Sequence, residues 1–220
     1  MADKKYFDYS DFTTRNFFNV VRPLCNLVCS TRVKLVVEGE ENLNREGGFI
    51  LAANHSIIYD PIFLQTACKD KLFHFMTKYE VFKNPVVGGI LKSCNAFPII
   101  RGKGDMTAVN YASDLVKQGK ILCIFPEGTR SKDGYPKKAK SGVGFIARNA
   151  KCDIVPVAIC IDDGKKFGGN IYIKFGEAIK YEDMNFTEDG GNKENKEVAN
   201  MVMDKIVLLW RECRKKCKSI

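Results

Sequence analysis

Short apolar runs closed by polar breaks recur along the chain, interleaved with stretches whose apolar residues repeat at helical spacing. Residues 33–37, 49–53, 72–76, 96–100, 121–125 and 154–159 have the length and character of buried strands. Residues 170–175 alternate and read as an edge strand, and Pro156 marks a bulge or a position without a ladder donor. Residues 105–118 place Met106, Val109, Ala112, Leu115 and Val116 on one helical face, with Asp105 as cap and Gly119 as stop. Asp60-Pro61 reads as another helix start, the Asp capping free amides and the Pro at the first helical position. Shorter helical segments are expected at 78–82 and 142–150, and a long one at 193–217 with Val198, Val202, Ile206, Leu209 and Cys213 inward. Residues 86–91, with paired glycines among aliphatic residues, suit either a core turn or a lipid-facing patch. Strands alternating with helices predict an α/β fold with a largely parallel central sheet flanked by helices.

The first thirty residues differ from the rest. Phe17, Phe18, Val21, Leu24 and Val28 lie among Arg15, Arg22 and Arg32, with Pro23 breaking the run. Two short amphipathic helices are expected, either as a membrane-interface anchor or packed on the core. The chain thus divides into an N-terminal helix pair over residues 1–30 and an α/β domain over 31–220. No stretch approaches the roughly 18 uninterrupted apolar residues of a membrane-spanning helix.

Charge narrows the partners without choosing one. A net charge of +9 favours an anionic membrane surface, a phosphorylated substrate or nucleic acid. Nucleic acid is disfavoured, because the basic residues are spread out and no aromatic platform or binding motif accompanies them. The nine cysteines are odd in number and lack a Cys-x-x-Cys pair, and no secretory signal precedes them. They read as reduced thiols, Cys123 and Cys160 as small core residues, and no metal centre or cofactor is expected.

Three polar clusters follow strands, and sites in such sheets gather at strand carboxyl ends. His55 stands past the 49–53 run and Asp60 opens the next helix, so a carboxylate can fold back onto an imidazole as a general-base pair. The plainer alternative is a histidine that only meets water and an aspartate that only caps the helix. His74, inside a strand, belongs to the packing of the sheet. Arg101 ends the 96–100 run before Gly102-Lys103-Gly104, either an oxyanion site or a solvated turn. Glu127, Gly128, Thr129 and Arg130 follow the 121–125 run, where glycine admits close approach and arginine offers a planar fork. From Arg130 to Lys140 there are five basic residues against one acidic, and the same ratio holds from Arg211 to Lys218.

In order, His-x4-Asp (55–60), Phe-Pro-Ile-Ile-Arg (97–101), Phe-Pro-Glu-Gly-Thr-Arg-Ser (125–131) and Ile-Val-Pro-Val-Ala (154–158) resemble the glycerolipid acyltransferase family. Within that family they are most similar to the PlsC kind of 1-acyl-sn-glycerol-3-phosphate acyltransferase. The resemblance implies an acyl transfer from acyl-CoA or acyl carrier protein to the free hydroxyl of lysophosphatidic acid. It implies His55 as base oriented by Asp60, with Arg101 and the Glu127, Gly128, Thr129, Arg130 block holding the glycerol phosphate. It also implies that the N-terminal helices seat the enzyme on the cytoplasmic face of an anionic membrane. The same motifs serve glycerol-3-phosphate and lysophospholipid acceptors. A hydrolase is disfavoured because no Gly-x-Ser-x-Gly elbow occurs, and a basic peripheral-membrane module without catalysis is the non-enzymatic alternative.

Overall fold

A computed structural model describes residues 23, 34–68, 70–100, 102, 104–162 and 169–217. The expected N-terminal helices, apart from Pro23, and Arg101 lie outside the described residues. A seven-stranded sheet runs in the order β1-β7-β6-β2-β5-β3-β4. The strands are β1 (Lys34–Glu38), β2 (Phe49–Ala53), β3 (Phe73–Lys78), β4 (Ala96–Ile99), β5 (Ile121–Ile124), β6 (Ile154–Ile161) and β7 (Asn170–Phe175). Every pairing is parallel except β6 with β7. Helices α1 (Asp60–Ala67), α2 (Tyr79–Phe82), α3 (Pro85–Ser93), α4 (Met106–Lys117), α5 (Gly142–Ala150) and α6 (Asn192–Cys217) connect and cover it.

β2 is buried along its whole length, because β5 and β6 flank it and helices cover both faces. Phe49, Leu51 and Ala53 pack on the α1 side with Phe63 and Leu64. Ile50 and Ala52 point the other way, into a core shared with α4, α5 and α6 through Ala112, Val143, Ile146, Val202 and Ile206. The crossover after β2 therefore runs over one face and the crossover after β5 over the other. Adjacent strands whose exits diverge open a crevice at their carboxyl ends, the position where parallel sheets bind ligands.

Two expectations need correction. β7 is no edge strand: β1 pairs with it along Lys34–Glu38, and the outer positions fall to β1 and β4. Alternation reports which faces are covered and carries no information on who pairs along the ladder. Asp60 is not a cap: Tyr59 precedes the helix, Asp60 is its first residue, and its carboxylate turns back to the loop behind it. Of the two readings of Pro156 the second holds: it makes no bulge and sits, without an N–H to donate, opposite Ala52 in a continuous β6, one residue before the ladder to β7 begins at Val157. Residues 86–91 form most of α3, capped by the Asn84 side chain, with Val86 69% and Ile90 53% exposed.

Candidate active site

The loop after β2 is built around one carboxylate oxygen. Asp60 Oδ2 accepts from the amides of Ser56 (2.6 Å) and Ile57 (2.9 Å), and lies 2.8 Å from His55 Nδ1. Asp60 is fully buried while the His55 side chain is 14% exposed. Two main-chain donors and the ring nitrogen fold five residues into a tight loop that presents the imidazole. With Nδ1–H directed at the carboxylate, Nε2 is the nitrogen left to take a proton.

The loop after β5 holds the same histidine by its backbone. The His55 amide donates to Glu127 Oε1 at 2.8 Å, and the Ser131 amide donates to the His55 carbonyl at 2.8 Å. The Phe125 ring stacks on the imidazole, centroids 4.1 Å apart and planes 21° off parallel. Asn54 ties the strand end to β6, its amide accepting from Ile159 N–H (2.8 Å) and donating to Ile159 O (2.9 Å). His55 is thus fixed by three neighbouring strands before any substrate arrives, which is the preorganisation a reacting group needs.

Glu127 is 3% exposed. Burial pushes its carboxyl up to about 7, against the opposing pull of the His55 amide and of Lys137. Gly128 takes a left-handed φ of +67°, and its amide closes a turn onto Phe125 O. A Cβ there would meet the Lys140 side chain at 3.0 Å, but that exposed lysine can move aside, so it is the left-handed φ of the turn that demands glycine. Thr129 and Arg130 are exposed at the mouth of the loop. His74 is buried within β3, as its strand position suggested, and burial lowers its pKa to about 4.

Two cavities border this loop. One, about 610 Å³, reaches from Pro126 and Gly128 past Met106, Val109, Phe145 and Ile146. The other, about 750 Å³, lies among Ser56, Ile57, Thr129, Arg130 and Lys132. The first is largely apolar, the second carries charge.

The sequence motifs marked His55, Asp60 and Glu127, and the structure brings these three together. Asn54, next to the first motif, was missed as a site residue; Phe125 and Ser131 lie inside the 125–131 motif, but their contacts with His55 were not foreseen, because the partner is about seventy residues off in sequence.

A family model described as Acyltransferase matches residues 34–160, more than half of the chain. The chain belongs to the acyltransferase family. The 1-acyl-sn-glycerol-3-phosphate acyltransferase of Bacillus subtilis (strain 168) is 35% identical over 132 residues, covering 60% of this chain and 65% of that protein. The enzyme of the same name from Streptococcus pneumoniae is 36% identical over 115 residues, covering 52% of this chain and 42% of that one. The match therefore spans less than two thirds of the length of either relative. The crystal structure of the 1-acyl-sn-glycerophosphate (LPA) acyltransferase PlsC from Thermotoga maritima superposes with a TM-score of 0.62 at 25% identity, covering 86% of this chain and 80% of that chain. The family block ends at 160, so β7 and α6 of this chain lie beyond it.

Proposed function

We propose that the chain transfers a fatty acyl group from a thioester donor, acyl-CoA or acyl carrier protein, to the free 2-hydroxyl of lysophosphatidic acid, giving phosphatidic acid. The observation that carries this reading is the 2.8 Å His55–Asp60 pair at the mouth of the crevice, locked by the loop after β5. His55 Nε2 takes the proton of the acceptor hydroxyl as its oxygen attacks the thioester carbonyl. The tetrahedral intermediate collapses, the C–S bond breaks, and the proton passes from the imidazolium to the departing thiolate. Asp60 keeps Nδ1 protonated and stabilises the imidazolium, the arrangement of a catalytic triad whose hydroxyl comes from the substrate.

The 610 Å³ cavity offers an acyl chain an apolar path that begins beside Gly128. Arg130, at the charged cavity, and Arg101 are proposed to hold the acceptor phosphate, with Thr129 as a hydrogen-bonding partner. Glu127 acts through the backbone of His55, and Gly128 through the turn. Relatives named 1-acyl-sn-glycerol-3-phosphate acyltransferase favour this acceptor over glycerol-3-phosphate or another lysophospholipid.

Attachment to a membrane surface is proposed on the cytoplasmic side, with residues 1–30 as an interfacial segment and residues 31–220 as the catalytic domain. Among the described residues, Ile58, Tyr59, Val81, Val86, Ile90 and Met106 are exposed. They sit on the loop after β2, on α2 and α3 after β3, and at the start of α4 after β4. They therefore border the edge of the sheet that bears His55. Exposed apolar residues gathered there, on a chain of net charge +9, suit contact with anionic lipid. None of the described helices is long and apolar enough to cross a membrane.

The test mixes the protein with lysophosphatidic acid and an acyl-CoA, and with acyl carrier protein as alternative donor, and follows thiol release. Release that requires the acceptor supports transfer, release without it indicates thioester hydrolysis, and none with either donor contradicts the reading.

A further inference from the structure

The 750 Å³ cavity has a wall that the acyltransferase motifs do not supply. Beyond the two loops, it is lined by Trp210 and Arg214 of α6, fifty residues past the family block. Val202, Ile206, Cys213 and Cys217 are buried and seat α6 against the sheet. That seating leaves Trp210 and Arg214, one turn apart on the same flank, over the carboxyl end of β6. Arg214 Nη1 donates to Ile161 O at 3.0 Å, and its guanidinium carbon lies 5.7 Å from the centroid of the Trp210 ring. The Tyr135 ring meets the indole edge-on, centroids 5.0 Å apart, so the loop after β5 and α6 are packed together around this arginine.

We propose that Arg214, held in place by Trp210, is a second guanidinium of a phosphate-binding cleft shared with Arg130 beside His55. Among the described residues, the cleft presents Arg130, Lys132 and Arg214 against two carboxylates, Asp133 and Asp162. Asp133 is turned into its own loop, accepting from Ser131 Oγ (2.6 Å) and the Tyr135 amide (3.2 Å). A guanidinium presents a planar set of donors that matches phosphate oxygens, and a partly buried one is less screened than a lysine at the surface. The cleft begins at Ser56, the residue after the proposed base. In a 1-acylglycerol 3-phosphate, the reacting hydroxyl is one carbon from the phosphate-bearing carbon. A phosphate in the cleft therefore delivers the hydroxyl toward the imidazole. The inference rests on the reading that this chain handles phosphate-bearing lipids. Phosphate esters occur on the acceptor and on coenzyme A, and the geometry favours the acceptor.

The test is equilibrium binding by calorimetry on the full chain, which needs no turnover. A loss of transfer through His55 therefore leaves it readable. The probes are a short-chain lysophosphatidic acid, coenzyme A and the phosphate-free short-chain monoacylglycerol. Arg214→Gln is expected to weaken lysophosphatidic acid binding about tenfold or more, of the order lost with a charge-assisted hydrogen bond, and to leave monoacylglycerol unchanged. Arg214→Lys recovers part of the loss. Trp210→Phe keeps the preference for the phosphate-bearing lipid, and Trp210→Leu reduces it. A loss confined to coenzyme A supports the phosphate cleft and assigns it to the donor. The proposal is overturned if wild type binds neither phosphate probe, if Arg214→Gln binds both as wild type does, or if monoacylglycerol binding falls by the same factor. Should Arg214→Gln fail to fold, Arg214→Lys and Lys132→Gln report on the same cleft, and unchanged phosphate affinity in both overturns it.

Discussion

Asp60 concentrates the chemistry of the site on one oxygen, which serves two amides and the imidazole together. An amide cannot serve all three as the carboxylate does: with its oxygen at that position it is neutral and no longer offsets the charge of the imidazolium, and with its nitrogen there it leaves the Ser56 and Ile57 amides without an acceptor and donates toward Nδ1, which forces the wrong imidazole tautomer. Asp60→Asn is therefore expected to lower the rate of acyl transfer by about 10²–10⁴-fold while the circular dichroism spectrum is retained. Equal rates in the two proteins would remove Asp60 from the mechanism. Glu127 has a separate signature. Its carboxyl titrates at about 7 in the folded protein against an ordinary value of 4.5. The folded state binds this proton more tightly, so the contribution is complete below pH 4.5 and is lost as pH rises through about 7. The difference is at most about 3 kcal/mol. Urea melts at pH 5 and pH 8 should show a larger drop in stability for wild type than for Glu127→Gln. An identical drop in both would mean that the buried carboxyl is not the source. His74, lowered to about 4 by burial, acts in the opposite sense: its contribution is present above pH 6.5 and is lost as pH falls toward 4.

At the scale of elements, strands and long helices were legible because burial imposes a period. The amphipathic stretch at 193–217 became α6, and Asp105 caps α4 as its position suggested, accepting from the Ala108 amide at 3.1 Å. Pairing was less legible. β7 lies between β6 and β1, and nothing in its alternation encodes that neighbour. The site shows the same division. The five-residue separation of His55 and Asp60 at a strand end could be read directly. The clamp from Glu127, 72 residues away, depends on β2 and β5 being adjacent, and adjacency is a property of topology rather than of local pattern. Residues 86–91 are helix rather than turn, with Gly88 buried and Leu91 packed against the core while Val86 and Ile90 are exposed. Replacing Val86 and Ile90 by glutamate should reduce flotation with anionic vesicles severalfold and leave the melting temperature within a degree or two, since both side chains are exposed. Unchanged flotation would exclude α3 from the lipid-facing edge.

For the whole molecule, the sheet order gives the division of labour. The exits of β2 and β5 diverge, and the loop after β5 borders an apolar cavity with its two ends, at Pro126 and Gly128 and again at Ser141, and a charged cleft with the stretch from Thr129 to Gly134 between them. A substrate with an apolar tail and a phosphate head suits that partition, and the exposed apolar residues along the same edge suit entry from a lipid surface. Removal of residues 1–30 should lower vesicle binding further, and raised salt should weaken the electrostatic part of what remains. Co-flotation indifferent to both changes would contradict the membrane reading. The central claim is that His55 is the base of an acyl transfer. Its most direct measurement is thiol release from acyl-CoA in the presence and absence of lysophosphatidic acid, with wild type and His55→Ala side by side. The account predicts acceptor-dependent release by wild type, and its loss in a variant that still folds and still binds vesicles. Acceptor-dependent release that persists in His55→Ala would contradict it.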